Sequence, residues 1–156
     1  MAVLQVSIQQ EDFDVAALQR QLLQGGSLEG AVATFTGYVR VSNESREVHT
    51  MELEHYPGMT QKSIHAILEE ASQRWPLQAA TAVHRVGILS SGEQIVWVGC
   101  SSSHREAAFS ACEFIMDYLK THAPFWKKES GAQGEHWVDA RASDDTRAER
   151  WQDNDK

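Results

Sequence analysis

This 156-residue chain has two cysteines, three prolines and no apolar stretch long enough to span a bilayer. The two cysteines, Cys100 and Cys112, form no C-x-x-C pair. Such sparse, unpaired cysteines suit a reduced compartment, and cytoplasmic is the default expectation. The N-terminus has no basic start followed by an apolar run, so no export signal or membrane anchor is expected. Positive charge is also scarce. Lys and Arg number 14 against 22 Asp and Glu, a formal net charge of −8, which disfavours nucleic acid and anionic membrane as partners. No glycine-rich phosphate loop, dinucleotide fingerprint or G-x-S-x-G elbow is present. The seven histidines show no metal spacing: His49 and His55 lie six apart with no cysteine or acid cluster beside them. Neither a metal nor a resident cofactor is expected.

What is present alternates between two periods. Leu4, Val6 and Ile8 read as a strand, and Asp14 caps a short helix through Leu23, closed by Gly25-Gly26. Ala31 to Val39 is a second strand carrying Phe35, with Gly37 as a bulge or a close backbone approach. Arg40 follows, then a polar, mobile-looking loop over Ser42–Glu47. Val48–His55 alternates again, and Tyr56-Pro57-Gly58 suits a type II turn. Thr60 reads as the cap of an amphipathic helix with Ile64, Ile67, Leu68, Ala71 and Trp75 on one side, ended by Pro76. Strands over Ala79–Val86 and Gln94–Cys100 flank a turn at Ser90-Ser91-Gly92. A central helix with Ala108, Ala111, Cys112, Ile115 and Leu119 inward comes next, then a hairpin marked by Gly131 and Gly134. Arg74 stands alone, as surface arginines do. The order predicts a single α+β domain, a largely antiparallel sheet with packed helices, over residues 1–141. Residues 142–156, charged and poor in apolar side chains, read as an acidic, frayed tail.

Two places carry chemistry. Pro124 stops the central helix near His122, so Lys120 falls in its last turn, and Lys127 and Lys128 follow in an extended segment behind Phe125 and Trp126. Lysines packed among aromatics lose water, which favours proton transfer or anion capture. The same spacing also suits a plain helix end where Lys120 complements the dipole. At the other end, Ser103-His104-Arg105-Glu106 reads as a capping box, placing His104 and Arg105 at a positive helix terminus suited to a phosphate or carboxylate. Both cysteines fall on core positions, which reads as packing rather than a persulfide-carrying nucleophile.

Taken together, Leu53-Glu54-His55-Tyr56-Pro57-Gly58-Met59, Arg74-Trp75-Pro76, His84-Arg85-Val86-Gly87, Ser103-His104-Arg105, Phe114 to Lys120 and Ala123-Pro124-Phe125-Trp126-Lys127 resemble the large, catalytic subunit of molybdopterin synthase. The resemblance runs from about Ala31 to Arg141. It implies an α/β-hammerhead-like fold and a sulfurtransferase of molybdenum cofactor biosynthesis. That enzyme converts cyclic pyranopterin monophosphate, a pterin phosphate, to molybdopterin by adding two sulfurs. The implied donor is the C-terminal Gly-Gly thiocarboxylate of a small β-grasp, ubiquitin-like partner, in a heterotetramer built on a homodimer of large subunits. By resemblance, Lys120 and Lys127 match the catalytic lysines. Arg40, His104 and Arg105 match the substrate and anion pocket, Phe35 and Met116 match its walls, and Lys128 is a cationic neighbour of Lys127. The roles expected are Lys127 on the partner's terminal carbonyl and Lys120 as general acid–base. The competing reading is a docking module without catalysis, in which the lysines only neutralise the partner's terminus. A second anion site at His104-Arg105 argues against it.

Helix geometry adds one expectation. Residues sixteen apart on one helix, such as His104 and Lys120, lie about 24 Å apart along the axis and about 160° apart around it. If both serve one small substrate, a two-fold dimer must bring one protomer's helix start to its mate's helix end.

Overall fold

The computed structural model describes residues 2–23, 30–43, 46–138 and 142–152. Two four-stranded sheets form the frame. The first has the order β1-β6-β8-β2, from β1 (Val3–Gln9), β6 (Leu77–Arg85), β8 (Gln94–Ser102) and β2 (Ala31–Tyr38). Only the β1–β6 pair is parallel. The second sheet has the order β10-β9-β5-β7 and is antiparallel throughout, from β10 (Gly134–Trp137), β9 (Phe125–Gly131), β5 (Thr50–His55) and β7 (Gly87–Ser90). The expected α+β class with a mainly antiparallel sheet is what folds.

Alternation along β6 and β8 sorts the helices. Ala80, Ala82, Val96, Val98 and Cys100 face the main core, which α2 (Met59–Arg74) and α3 (Arg105–His122) cover. The intervening Ala79, Val83 and Trp97 face the other way, against Leu18 and Leu22 of α1 (Val15–Leu22). Asp14 caps α1 as expected, accepting from the N–H groups of Ala16 and Ala17. Gly25-Gly26, expected to close it, lies outside the described residues. The β2–β8 register shifts between Gly37 and Tyr38, in keeping with the bulge expected at this glycine. What crowds it is a side chain rather than another backbone: a Cβ on Gly37 would sit 2.8 Å from Val96 Cγ1.

Several local expectations fail for identifiable reasons. Thr60 does not cap α2. Gly58, at φ +84°, is the N-cap, and the wholly buried Thr60 hydroxyl instead accepts from Tyr56 N (2.9 Å) and donates to Pro124 O (2.9 Å). The turn before α2 is thereby tied to the proline break after α3. The capping box does not form either. His104 is the N-cap of α3 without a side-chain cap bond, and Ser103 Oγ accepts from Gln78 Nε2 at 3.1 Å. Gly30 packs so tightly here that a Cβ on it would lie 2.0 Å from Ser103 O. Part of the polar loop is a small ribbon, β3 (Ser42–Asn43) paired with β4 (Arg46–Glu47). A further short strand, β7 (Gly87–Ser90), follows β6 after Val86 and leads into the turn at Ser91-Gly92.

The largest correction is at the C-terminus. Within the segment expected to fray, α4 (Ala142–Glu149) packs along α3, and Ala148 and Trp151 are buried. Trp151 makes edge contacts with Trp75 and Phe114, and its indole N–H donates to Asp117 (2.7 Å). Asp117 also accepts from Arg147 (3.1 Å) and Arg150 (2.9 Å), both of which reach Glu113. Arg74 is no solitary surface residue. It donates to Trp151 O at 2.8 Å and lies over Phe114. Charge pairing holds a helix that apolar composition alone would not.

Candidate active site

The first sheet puts a histidine where its neighbours put alanine. His84 follows Ala80 and Ala82 on the core face of β6 and is buried opposite Val96. Its Nδ1 lies 2.8 Å from the carbonyl of Arg85, and its ring stacks on Phe125 with centroids 3.9 Å apart. Burial is the main cause that pushes its pKa down to about 3, opposed by the Arg85 carbonyl and reinforced by the charges of Lys127, Lys120 and His55. The ring is therefore neutral at physiological pH. Arg85 points to the opposite face and is consumed structurally, donating to the carbonyls of Gln10 and Gln94.

Around His84 is a cavity of about 60 Å³ whose wall includes Met116, Lys120, Phe125 and Lys127. Lys120 arrives from the last turn of α3, which ends at His122 because Ala123 before Pro124 is extended. Lys127 arrives from β9, two residues beyond Phe125 and so on the same strand face. The structure thus brings the two expected lysines together from two elements. Lys120 is exposed rather than desolvated as expected, while Lys127 is half-buried.

Outside lies a groove of about 510 Å³ that shares Met116 and Lys120 with the inner cavity. Phe35 from β2, Phe109, Cys112, Asp117, Asp144 and Arg147 complete much of its wall. Phe35 and Met116, the expected wall positions, are both here. Asp144 and Arg147 come from α4, within the segment expected to fray. A larger groove of about 1000 Å³ runs between β1, α1 and α2, but it holds none of the expected site residues.

Other expected residues stand apart. Lys128 points away from Lys127, toward Glu135 (3.8 Å) and over the Trp137 ring (5.6 Å). Arg40 is exposed beyond the end of β2, and His104 and Arg105 are exposed at the start of α3, and none of them lines the cavity or the outer groove. One continuous α3 therefore separates His104 from Lys120, as the sixteen-residue spacing predicts. Cys100 is fully buried, and Cys112 is nearly so, with its thiol 3.8 Å from Val98 O. Hydrogen bonding to Cys112, together with burial, pushes the Cys100 thiol up, so it stays protonated at neutral pH. Among the described residues, no group of three or more His, Cys, Asp and Glu side chains is placed to hold a metal. No described helix is long and apolar enough to cross a membrane.

The chain as a whole is similar to known proteins. The chain is 56% identical over 147 residues to the molybdopterin synthase catalytic subunit of Vibrio cholerae, spanning 94% of this chain and 97% of that protein. The solved molybdopterin biosynthesis MoaE protein from Burkholderia ambifaria superposes with a TM-score of 0.81 at 50% identity, covering 97% of this chain and 99% of that one. The molybdopterin synthase structure from Staphylococcus aureus gives 0.79 at 30% identity, covering 85% and 96%. The similarity to the Vibrio protein also takes in sequence outside the span Ala31–Arg141 that the motifs had marked. The model of the MoaE protein family matches residues 8–122, and this chain belongs to that family.

Proposed function

We propose that this chain is the catalytic subunit of a molybdopterin synthase, a sulfurtransferase that converts cyclic pyranopterin monophosphate to molybdopterin. The observation that carries the reading is the convergence of Lys120 and Lys127, from α3 and β9, on one cavity beside an open groove. Relatives named as a catalytic subunit imply at least one further subunit. The partner that fits is a small β-grasp carrier whose C-terminal Gly-Gly bears a thiocarboxylate, and the reaction belongs in the cytoplasm.

The chemistry explains why no cysteine is needed. A thiocarboxylate sulfur is already nucleophilic. It forms a bond to a pterin side-chain carbon as that carbon's C–O bond breaks and the oxygen leaves protonated. Water then hydrolyses the resulting thioester, leaving sulfur on the pterin as a thiol and returning the carrier's terminus as a carboxylate. Two such transfers supply the dithiolene. The protein's tasks are to hold two anions together and to protonate the departing oxygens, which is work for cations and for a lysine able to give up a proton. Lys127 is assigned to the carrier's terminal carbonyl and Lys120 to acid–base work at the pterin. Phe35 and Met116 wall the pterin side, and Arg40, His104 and Arg105 take the phosphate. Because α3 holds His104 and Arg105 far from Lys120, these come from the mate in a homodimer, giving a composite site within a heterotetramer. Lys128, turned toward Glu135, is not given a part in the chemistry.

The test is reconstitution. Purified chain, thiocarboxylated carrier and cyclic pyranopterin monophosphate should yield dithiolene product, and a carrier lacking its terminal Gly-Gly should bind weakly and support none. Undiminished turnover with the truncated carrier would overturn the reading. Tight carrier binding without any product from the intact carrier would favour the docking module instead.

A further inference from the structure

His84 has a place in this site that neither packing nor the lysine chemistry alone accounts for. A carbonyl oxygen can only accept, so the 2.8 Å contact with Arg85 O requires the proton on Nδ1. The ring is neutral, its pKa being held near 3, so Nε2 carries a bare lone pair. Stacking on Phe125, with ring planes 18° from parallel, fixes the orientation of the ring. The charged and titratable groups acting on it are Lys127 of β9, Lys120 of α3 and His55 of β5, and the remaining cavity wall includes Ile95, Val96, Met116 and Leu119. A strand position otherwise suited to an alanine or valine therefore gives a cavity containing two lysines a fixed hydrogen-bond acceptor.

We propose that His84 is a positioning residue of the lysine site, its Nε2 lone pair being the acceptor on the cavity floor against which the ammonium groups of Lys120 and Lys127 are set. A neutral acceptor suits the task better than a carboxylate. It aims an ammonium N–H without pairing off the charge that must meet the anionic carrier terminus and pterin phosphate. No proton shuttling is assigned to His84, because burial favours its neutral form.

The proposal rests on the catalytic reading of the two lysines, so its test has an arm that does not depend on turnover. In ¹⁵N-labelled protein, the His84 ring should show the neutral Nδ1–H tautomer between pH 6 and 8, and its Nε2 resonance should move when Lys120 or Lys127 is replaced by methionine. A protonated Nε2, or a resonance indifferent to both replacements, overturns the proposal. In turnover, His84→Leu should lower kcat about tenfold or more with KM little changed, the scale of a lost hydrogen bond to a charged group. His84→Gln, whose amide oxygen can accept, should recover part of that loss. A folded His84→Leu variant with normal kcat, or a His84→Gln variant no better than leucine, also overturns it. If His84→Leu does not fold, the spectrum of the unaltered protein decides. Should the lysine variants themselves keep full activity, the functional reading falls, while the tautomer measurement still judges the contact.

Discussion

His84 and Phe125 lie ring on ring, 3.9 Å between centroids, and the contact joins β6 of the first sheet to β9 of the second. Two residues beyond Phe125, β9 delivers Lys127, so the stack also sets where that lysine enters the cavity. A buried neutral histidine at the junction of the sheets has a thermodynamic consequence.

Burial holds the folded His84 pKa at about 3, below the ordinary histidine value of 6.5. Between these limits the unfolded chain binds a proton that the folded chain does not, so stability rises with pH up to about 6.5 and then levels. This one group should contribute a slope approaching about 1.4 kcal/mol per pH unit within the window. Denaturant unfolding at successive pH values should show that slope, and His84→Gln should remove nearly one proton of it. An unchanged slope in the variant would contradict the burial of a neutral ring.

Cys100→Ser and Cys112→Ser should both retain sulfur transfer, because the carrier brings the nucleophile and the Cys100 thiol stays protonated. Each hydroxyl placed in the core should cost about 1–3 kcal/mol of stability. Product formation and melting temperature measured together check this. A well-folded but dead serine variant would indicate a persulfide relay.

Trp151→Ala should destabilise the protein by about 3–5 kcal/mol, as expected for an aromatic removed from a packed site. Asp117→Ala should also be costly, since it strands the buried Trp151 indole N–H and leaves Arg147 and Arg150 with Glu113 as their remaining acidic partner. Truncation after residue 141 that left the denaturation midpoint unchanged would show that α4 contributes nothing.

Much of this was legible from local pattern. The stripes of α2 and α3, the alternation of β1 and β5, and the break at Pro124 all rest on short-range periodicity and steric rules, and all hold. What was missed depends on partners distant in sequence. Ser103 and Thr60 have the composition of helix caps, but Gln78 and Pro124 claim their hydroxyls. The C-terminal segment has too few apolar residues to announce a helix, and it packs because Ala148 and Trp151 are buried and Glu113 and Asp117, a turn apart on α3, meet Arg147 and Arg150. In the site, Lys120 and Lys127 were readable, whereas Lys127 and Lys128 could be separated only by the facing of β9. His84 had one faint signal, a histidine on the core face of an otherwise apolar strand.

A composite site predicts complementation. Lys120→Ala and the double variant His104→Ala with Arg105→Ala should each be inactive alone. Allowed to exchange subunits, they should regain a fraction of full activity, because each mixed dimer rebuilds one intact site. Verified mixed dimers that stay inactive would place the whole site within one chain.

The central claim is that the two lysines meeting at the cavity perform the transfer. The most direct measurement is single-turnover formation of dithiolene from cyclic pyranopterin monophosphate and thiocarboxylated carrier, comparing Lys120→Ala, Lys127→Ala and Lys128→Ala at equal folded concentration. The first two should lose on the order of 10²–10⁴-fold in rate, the range for removing a proton-transfer or charge-stabilising group. Lys128→Ala should stay close to the unaltered protein, because its side chain faces Glu135 and Trp137. Lys120→Arg should remain poor, since a guanidinium keeps its charge but cannot cycle a proton. Near-normal rates from the Lys120 or Lys127 alanine variant, or a collapse confined to Lys128→Ala, would contradict the account.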